Sequence, residues 1–343
     1  MTAKIKPTDL LRTITADVAS HPDDLAGHLA AKHGVSRSTA AGYIRRLEAD
    51  GWLRRTGSKT RPRFELGARR RVSGLFRLDG LREDEVWSLK FAQFLDLKPN
   101  VRGIAMHGFT EMLNNAIDHS SGNNVFVWAQ QDEATLTLVV SDDGVGIFDK
   151  ITRAMGLADP RQSLLELAKG KFTTDPSNHS GEGIFFTSRM FDSFEIQANG
   201  LKFNHDSDGS PDILIEDEGT FDNGTTVFMT MALDSARTTN DVYEQFTNQP
   251  EDFDFSKTVV PMRMAQYGQD LLVSRSQAKR IIARFDRFRT VVLDFAQIEE
   301  IGQAFADEIF RVYASAKPGV DLVPVNMTHQ VERMYLRAIA PRA

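Results

Sequence analysis

The sequence predicts a multidomain α+β protein with folded parts that follow one another along the chain. At 343 residues the chain exceeds one typical domain, so two or three separate cores are expected. Its charge changes along its length, because residues 1–71 hold 15 Lys and Arg against 7 Asp and Glu, whereas the remainder holds 26 against 40. Toward the C-terminus, strand and helix patterns alternate, which is typical of a small α/β domain. The predicted parts are residues 1–70, 71–99, 100–240 and 250–343.

The basic N-terminal part is predicted to hold three helices and a hairpin. Apolar residues have helical spacing from Pro7 to Ala19, and Asp23 or Asp24 can cap a second helix. A tight turn at 33–36 leads into a third helix over 37–50, which is helix-turn-helix spacing. A strand and a hairpin with a basic tip complete this head.

The head resembles a winged helix of the bacterial regulator type, which implies duplex DNA as its partner. In that resemblance the first half of the third helix faces the major groove, and Arg46 of the same helix and the hairpin meet phosphate or the minor groove. The residues expected to contact DNA are Arg37, Ser38, Thr39, Tyr43, Arg46, Lys59, Arg61 and Arg63. A protein-interaction module and a merely solvated basic face are the alternatives. Because helix and hairpin are basic together, DNA is favoured.

The connector contains one amphipathic helical stretch, Glu83–Leu95. Its apolar stripe is expected to pack on the module that follows or on a second copy of it. A homodimer is therefore one of the expected assemblies.

Polar side chains share one face of a predicted helix in the next part. In Glu111-Met-Leu-Asn-Asn-Ala-Ile-Asp-His119, residues Glu111, Asn115 and Asp118 stand at i, i+4 and i+7. Two carboxylates and a carboxamide oxygen suit a hard cation such as Mg²⁺, which takes oxygen ligands. His119 ends the helix, where an imidazole can complement the carbonyl end, so a structural role is favoured over a catalytic one.

A second motif, Ser141-Asp-Asp-Gly-Val-Gly-Ile147, follows a predicted strand over 135–141. Gly144 and Gly146 let the backbone approach a flat ligand closely. Asp142 then stands at the mouth of a pocket, where an ionised carboxylate accepts a hydrogen bond from an amine such as that of adenine. Taken alone, this sequence is a common turn.

Two further glycine-bearing motifs follow in the chain. Ser180-Gly-Glu-Gly183 opens a helix whose N–H groups suit phosphate, and Gly224-Thr-Thr-Val227 starts a strand. In this order, the four motifs resemble those of the GHKL (Bergerat-fold) ATPases, which include histidine kinases and anti-sigma-factor serine kinases. The resemblance covers roughly residues 100–235 and implies a Bergerat α/β sandwich ATPase domain that takes ATP and Mg²⁺.

The resemblance assigns roles residue by residue. It makes Glu111 the residue that polarises an attacking water, Asn115 the Mg²⁺ ligand and Asp142 the adenine ligand. The other residues expected at the nucleotide are Asp118, Gly144, Gly146, Lys171, Gly181, Gly183, Thr225 and Thr226.

The stretch Phe148–His179 is too long for a tight connection, and it is where the GHKL ATPases keep their ATP lid. A long, polar, glycine-bearing loop over a ligand site is expected to order on binding. Lys169 or Lys171 would reach the outer phosphates, or else the two lysines are simply solvated. The sequence favours neither interpretation.

A polar, acidic linker, Asn240–Asp254, leads to the C-terminal part. There the stretch Val291–Phe310 resembles STAS-like domains, which are related to anti-anti-sigma factors. Phosphorylatable relatives have a serine at the turn that here reads Gly302-Gln-Ala-Phe305, so a phosphoacceptor is not expected at this turn. Asp294 is expected to bond its own loop, with a functional site as the alternative.

Composition excludes some kinds of site and bears on the location of the protein. The chain has no cysteine, so disulfides and thiolate metal sites are excluded. No apolar run approaches the roughly twenty residues that span a bilayer, and no signal-peptide pattern opens the sequence. The protein is expected to be cytoplasmic.

Two function classes remain. The first is an ATP-binding, DNA-binding regulator in which Mg-ATP binding or hydrolysis switches the head and the STAS-like part. The second is an ATPase, or a serine kinase of the anti-sigma type, that acts on a regulatory protein partner. An autophosphorylating histidine kinase is disfavoured because the nearest upstream histidine, His107, lies within the helix that carries Glu111.

Overall fold

Backbone proximity divides the chain into two units, Met1–Gly144 with Thr226–Ala236, and Val145–Thr225 with Arg237–Ala343. The computed structural model describes residues 5–58, 61–173, 181–208, 213–216, 223–247, 255–266 and 271–340.

The head belongs to the first unit and has the predicted order of elements. These are α1 (Pro7–Ser20), α2 (Leu25–His33), α3 (Arg37–Ala49), β1 (Leu53–Arg55) and β2 (Phe64–Leu66). The Ser36 hydroxyl accepts a hydrogen bond from the Thr39 N–H at 3.1 Å and so caps α3. Leu29, Ala40 and Ile44 lie at the centre of the head's own apolar core. Assignment of these elements to a winged helix stays a prediction.

The rest of the first unit is built on antiparallel strands. Its next elements are β3 (Arg70–Arg77), α4 (Glu83–Val86), a π-helical segment (Trp87–Phe91), a 3₁₀ turn (Ala92–Phe94), α5 (Pro99–His119), β4 (Asn124–Gln131) and β5 (Thr135–Asp142). Strand β3 pairs with β4, and β4 with β5.

Strand β3 corrects the predicted connector, because residues 70–77 belong to a sheet. The arginine run at its start hides the alternating pattern of a strand. The Arg71 guanidinium lies over the Trp128 ring at 5.0 Å on the paired strand, which is how a charged residue is accommodated there. The helical stretch after β3 packs on α5 of the same chain, with the Trp87 and Phe91 rings 5.2 and 4.9 Å from the Phe109 ring.

The second unit begins at Val145, within the second motif. The elements that follow are α6 (Ile147–Met155), α7 (Gln162–Lys169), α8 (Gly183–Met190), β6 (Ser193–Ala198), β7 (Leu201–Asp206), β8 (Ile213–Glu216) and β9 (Thr225–Ala232). Strands β6, β7 and β8 pair antiparallel in that order. In the first unit, β9 pairs antiparallel with β5 from Thr226 onward.

Helices α6 and α7 correct the predicted long loop over 148–179, since helices occupy most of the stretch up to Lys169. Gly156, at φ +61°, ends α6, and Gly170, at φ +77°, ends α7. The predicted lid residues Thr174, Ser177 and Asn178 lie outside the described residues.

The C-terminal part of the second unit alternates strand and helix as predicted. It comprises α9 (Thr239–Gln245), β10 (Lys257–Pro261), α10 (Arg275–Ile282), β11 (Thr290–Asp294), α11 (Gln303–Asp307), a π-helical segment (Glu308–Tyr313), α12 (Ala314–Ala316), β12 (Asp321–Val325) and α13 (His329–Ile339). Strands β10, β11 and β12 form a parallel sheet in that order. Helix α9 occupies the start of the predicted linker, because Thr238 and Asp241 form a capping box.

Candidate functional site

Helix α5 carries the three polar residues of the first motif. Glu111 and Asn115 are half-buried, and Asp118 is exposed. The buried residues of the same helix include Phe109, Met112 and Ala116, so its opposite face packs in the core. Side chains three and four positions apart share a face, which keeps Glu111, Asn115 and Asp118 together on the polar side.

Asn115 has a buried polar atom that nothing in the described structure satisfies. Its Nδ2 is shielded from solvent and has no hydrogen-bond partner among the described residues. Buried polar atoms are nearly always paired, so an orphan of this kind calls for an explanation. A bound ligand at the carboxamide would provide one, and the amide can turn to present its oxygen to a cation.

The donor set fits a cation that is shared with phosphate. Within the described residues, no three His, Asp or Glu side chains form a group that could hold a metal ion. Mg²⁺ at nucleotide sites usually takes one or two protein ligands and completes its shell with phosphate oxygens and water. The Asn115 oxygen is suited to such a site.

The second motif forms a tight turn after β5. The Asp142 carboxylate accepts a hydrogen bond from the Gly144 N–H at 2.9 Å. A Cβ on Gly144 would stand 2.1 Å from the Ser120 carbonyl oxygen, so this glycine is required where the turn crosses the end of α5. Packing therefore explains Gly144 without a ligand, and contact with a nucleotide there stays a prediction.

Asp143, which the sequence did not single out, fixes the same turn. Its carboxylate accepts hydrogen bonds from the Asn123 and Asn124 N–H groups at 2.7 and 2.9 Å. These bonds, led by that from the Asn124 backbone, lower the pKa of Asp143. Of the two adjacent aspartates, Asp143 is thus committed to the backbone.

Gly146, in the second unit, lies against Asn199 of the β6–β7 turn. It has φ +81°, and a Cβ there would stand 2.1 Å from Asn199 Oδ1. The Asn199 carboxamide accepts from the Asp149 N–H at 3.2 Å and donates to the Val145 carbonyl at 3.1 Å. Asn199 and Gly200 both have positive φ, which is the Asn-Gly hairpin signal and was available in the sequence. Asn199 therefore holds the glycine loop from outside the motif.

The two threonines of the last motif have separate partners. The Thr225 hydroxyl accepts from the Ile147 N–H at 3.0 Å, at the beginning of α6. The Thr226 hydroxyl lies 2.7 Å from the Ser141 hydroxyl on the paired strand β5. Thr225 thus bonds the backbone at the beginning of α6, and Thr226 links two paired strands through their side chains. Contact of either hydroxyl with adenine stays a prediction.

Gly181, in the third motif, contacts Phe172 and bonds its backbone. It has φ +72°, and a Cβ there would stand 2.4 Å from the Phe172 carbonyl. The Phe172 N–H donates to the Gly181 carbonyl at 3.2 Å. We call this pair, Phe172 and Gly181, the stem, since it joins the chain on either side of residues 174–180. Gly183 begins α8, so the predicted helix start at this motif is confirmed.

The structure contradicts both interpretations of Lys169. Its side chain is fully buried, and its ammonium donates to the Glu166 carboxylate at 2.6 Å. It is therefore neither solvated nor directed at phosphate. Lys171 is half-buried, and its ammonium donates to the Arg287 carbonyl at 3.3 Å beside the rings of Phe255 and Phe288. A phosphate contact from Lys171 stays a prediction that must compete with this arrangement.

In the head, two of the arginines predicted to meet DNA are ion-paired. The Arg37 guanidinium lies 2.7 Å from the Asp24 carboxylate, and that of Arg63 lies 2.7 Å from the Asp23 carboxylate. All four side chains are largely exposed, so these pairs contribute little stability and open readily.

The other predicted DNA contacts differ in how they are held. Tyr43 donates its hydroxyl to the Ile5 carbonyl at 3.2 Å, and its contact with DNA stays a prediction. Ser38 and Thr39 have hydroxyls 2.8 Å from the Ser36 hydroxyl at the start of α3. The Arg46 guanidinium lies 5.8 Å from the Tyr43 ring. The Arg61 N–H donates to the Ser58 hydroxyl, and Lys59 lies outside the described residues.

The C-terminal part confirms one smaller prediction and shows the packing at the position of a second. Asp294 accepts from the Ala296 N–H and from the Asn326 amide at 2.9 and 2.8 Å, so the loop-bonding interpretation is confirmed. A Cβ on Gly302 would stand 2.7 Å from the Val273 backbone, which gives a steric reason for glycine at the turn before α11.

Comparison with protein families identifies two parts of the chain. Residues 73–203 match the model of the histidine kinase-like ATPase domain, and residues 277–332 match the model of a STAS-like domain of unknown function. The chain thus contains a histidine-kinase-like ATPase domain and a C-terminal STAS-like domain. A comparison with curated proteins found no match. Among the described residues, no helix has the length and apolar character needed to cross a membrane.

Proposed function

We propose that this protein is a nucleotide-controlled regulator that binds Mg-ATP through its histidine-kinase-like domain and duplex DNA through its head. The buried, unsatisfied amide atom of Asn115 is the observation that carries the nucleotide part, since a polar atom is left there without a partner in the described structure. The match over residues 73–203 supports the same ligand.

In this proposal the motif residues have distinct roles. Asn115 coordinates Mg²⁺, Glu111 polarises the attacking nucleophile, and Asp142 accepts a hydrogen bond from the adenine amine. The N–H groups at the beginning of α8, from Gly183, take phosphate. Asn115 would hold Mg²⁺, which would supply positive charge against the phosphate groups when bound.

Head and sheet of the first unit are joined closely enough for the head to respond to nucleotide. Only the three residues 67–69 separate β2 from β3. The Arg71 N–H donates to the Thr15 hydroxyl of α1 at 3.0 Å, and the Arg69 N–H donates to the Gly51 carbonyl at 3.0 Å. Strand β3 is thus tied to the head on two sides, and a shift of the sheet would move the helices that we propose contact DNA.

One assay tests the proposal and separates it from its alternative. The full chain is incubated with γ-labelled ATP and Mg²⁺, with and without duplex DNA, and scored for nucleotide retention, free phosphate and labelled protein. We expect Asn115→Ala to abolish Mg²⁺-dependent retention. Glu111→Ala should retain ATP and lose turnover by about a hundredfold to ten-thousandfold, the usual effect of losing a general base. Equal loss of binding in both variants would contradict the two roles.

The second candidate is an ATPase or a serine kinase that acts on a protein partner. The STAS-like match favours it, because this part resembles domains related to anti-anti-sigma factors and the ATPase motifs resemble those of anti-sigma-factor serine kinases. DNA affinity that is the same with and without ATP, together with transfer of label to protein, would favour this candidate over the regulator.

A further inference from the structure

We propose that two copies of this chain associate through the open edge of strand β3, so that their sheets join across a two-fold axis at Leu75. The surface consists of residues 73–77, which we call the edge segment, and of Phe126 beside it. All of these residues belong to the first unit. The proposal goes beyond the proposed function, because the association requires neither nucleotide nor DNA.

Strand β3 has one paired edge and one open edge. It pairs with β4, and no strand in the described part of the chain pairs with its other side. The Arg71 N–H points to that other side, because it donates to the Thr15 hydroxyl of α1 at 3.0 Å. Backbone groups alternate in direction along a strand, so those of Ser73, Leu75 and Arg77 also point outward. These three residues are exposed, and their N–H and C=O groups can pair with a further strand.

The sheet surface beside this edge is apolar. Leu75 stands directly opposite Phe126 on β4, and the two residues are 71 and 42 % exposed. Leu75 is the most exposed large apolar residue in the part of the chain that the structure describes. Neighbouring apolar residues that remain in contact with water are typical of an interaction surface. The edge segment thus combines free pairing capacity with apolar area that gains from being covered.

The parallel sheet of the second unit shows how this chain protects an edge. Strand β12 is the last strand of that sheet among the described residues. The Asp321 N–H donates to the Arg289 carbonyl, and the Val325 carbonyl accepts from the Phe295 N–H, so residues 322 and 324 direct their backbone outward. Residue 324 is a proline, which has no N–H and hinders pairing with another strand. The edge segment of β3 contains no proline.

The sequence around the edge segment is complementary to itself. In antiparallel pairing about Leu75, this residue meets its own copy, and Ser73 of each chain meets Arg77 of the other. The three pairs exchange two backbone hydrogen bonds each. Asp79, just after β3, then comes level with Arg71 of the other chain, so opposite charges are brought together. A shift of two residues instead places Arg71 opposite Arg77 or Arg77 opposite Leu75, and like charges directly opposite are destabilising. A second copy of the chain therefore fits this edge in one register.

This register covers the exposed apolar residues. Directly paired residues have Cα atoms about 5.5 Å apart, so the partner's Leu75 packs against Leu75, with Phe126 on the next strand of the same face. The Thr15 hydroxyl holds the start of β3 against α1, so each head has a fixed place beside the axis. The interface thereby brings two heads into one assembly.

Sedimentation velocity on the full chain, without nucleotide or DNA, tests the interface. We expect the wild type to form dimers at micromolar concentration. Leu75→Lys, at an exposed position that tolerates lysine in the monomer, should raise the dissociation constant at least about tenfold, as loss of a central interface residue does. Leu89→Lys, in the π-helical segment and 61 % exposed, is the matched control. Equal dissociation constants in the two variants overturn the proposal. A monomeric wild type also overturns it and leaves the edge to a strand of another protein.

Cysteine cross-linking tests the register, because the chain has no cysteine of its own. Under mild oxidation, Leu75→Cys should form a disulfide-linked dimer, since the expected Cα separation of about 5.5 Å suits a disulfide. Ser73→Cys alone should not, because its two copies are about 14 Å apart along the paired strands. A mixture of Ser73→Cys and Arg77→Cys should cross-link. Linkage of Ser73→Cys alone, or linkage of Leu89→Cys as complete as that of Leu75→Cys, overturns the interface.

Discussion

Replacing Lys169 with methionine should make the stability of the second unit respond differently to pH. Burial lowers the pKa of the Lys169 ammonium from 10.5 to about 8, and the attraction of Glu166 only partly opposes this effect. Methionine has a similar length and no charge. The variant therefore removes a titrating group while retaining much of the packing.

The direction in which the free energy of unfolding changes with pH follows from the number of protons bound in the folded and unfolded states. Above about pH 8 the folded chain has released the Lys169 proton, whereas the unfolded chain keeps it until about 10.5. The unfolded state thus binds more protons in this window, so the free energy of unfolding rises with pH there. Each pKa unit corresponds to about 1.4 kcal/mol, so the wild type should gain roughly 3 kcal/mol relative to Lys169→Met between pH 7 and 10.5.

Urea unfolding followed by circular dichroism at several pH values measures the difference. Comparing the two proteins at each pH cancels the lysines and tyrosines that they share. Lys279→Met, from the exposed side of α10, controls for the loss of any lysine. Glu166→Gln should lower the pKa of Lys169 further, since Glu166 is the group that raises it, and so should open the window at lower pH. A wild-type advantage that stays constant from pH 7 to 10.5 would refute the reasoning, because Lys169 would then keep its ordinary pKa in the fold.

Three further predictions concern the nucleotide and DNA surfaces. Asp142→Asn can keep the hydrogen bond from the Gly144 N–H but loses the charge, so calorimetry should show ATP binding weaker by about 1.5–3 kcal/mol; unchanged affinity would remove Asp142 from adenine recognition. Asn199→Ala removes both bonds that hold the Gly146 loop and should weaken ATP about tenfold, corresponding to a loss of about 1–1.5 kcal/mol; equal affinity would show that the turn does not shape the site. Asp23→Asn releases Arg63, so the log–log salt slope of duplex DNA binding, read by fluorescence anisotropy, should steepen by about 0.9; an unchanged slope would mean that Arg63 neutralises no phosphate.

Regular periodicity made much of the fold predictable. Helix α5 keeps its apolar face over 21 residues, so the phase of Glu111, Asn115 and Asp118 could be read directly. The alternation from β10 to α13 was equally readable, although the end of α10 at Ile282 was not. Arg284 adopts φ +68° there, a left-handed conformation that sequence patterns rarely signal for arginine.

Features that depend on distant partners were not predictable. Lys169 is buried because Glu166 and two carbonyls of another segment surround it, and no local pattern records that. Strand β3 was not predicted, because a charged residue begins it. The Arg70 guanidinium donates to the Gly67 and Phe94 carbonyls, and no local sequence pattern indicates these partners. The structure explains Gly144 and Gly146 by close contact with Ser120 and Asn199, and their contact with a nucleotide stays a prediction.

The short connection from β2 to β3 limits the spacing of DNA sites that two heads can occupy together. A head on a long flexible linker samples many distances, and its partner site can vary in spacing accordingly. Here three residues and the bond between Thr15 and Arg71 fix the head on its strand. If two copies of the chain occupy one DNA, the distance between their half-sites is then set by protein geometry, so inserting half a helical turn between half-sites should abolish joint occupancy.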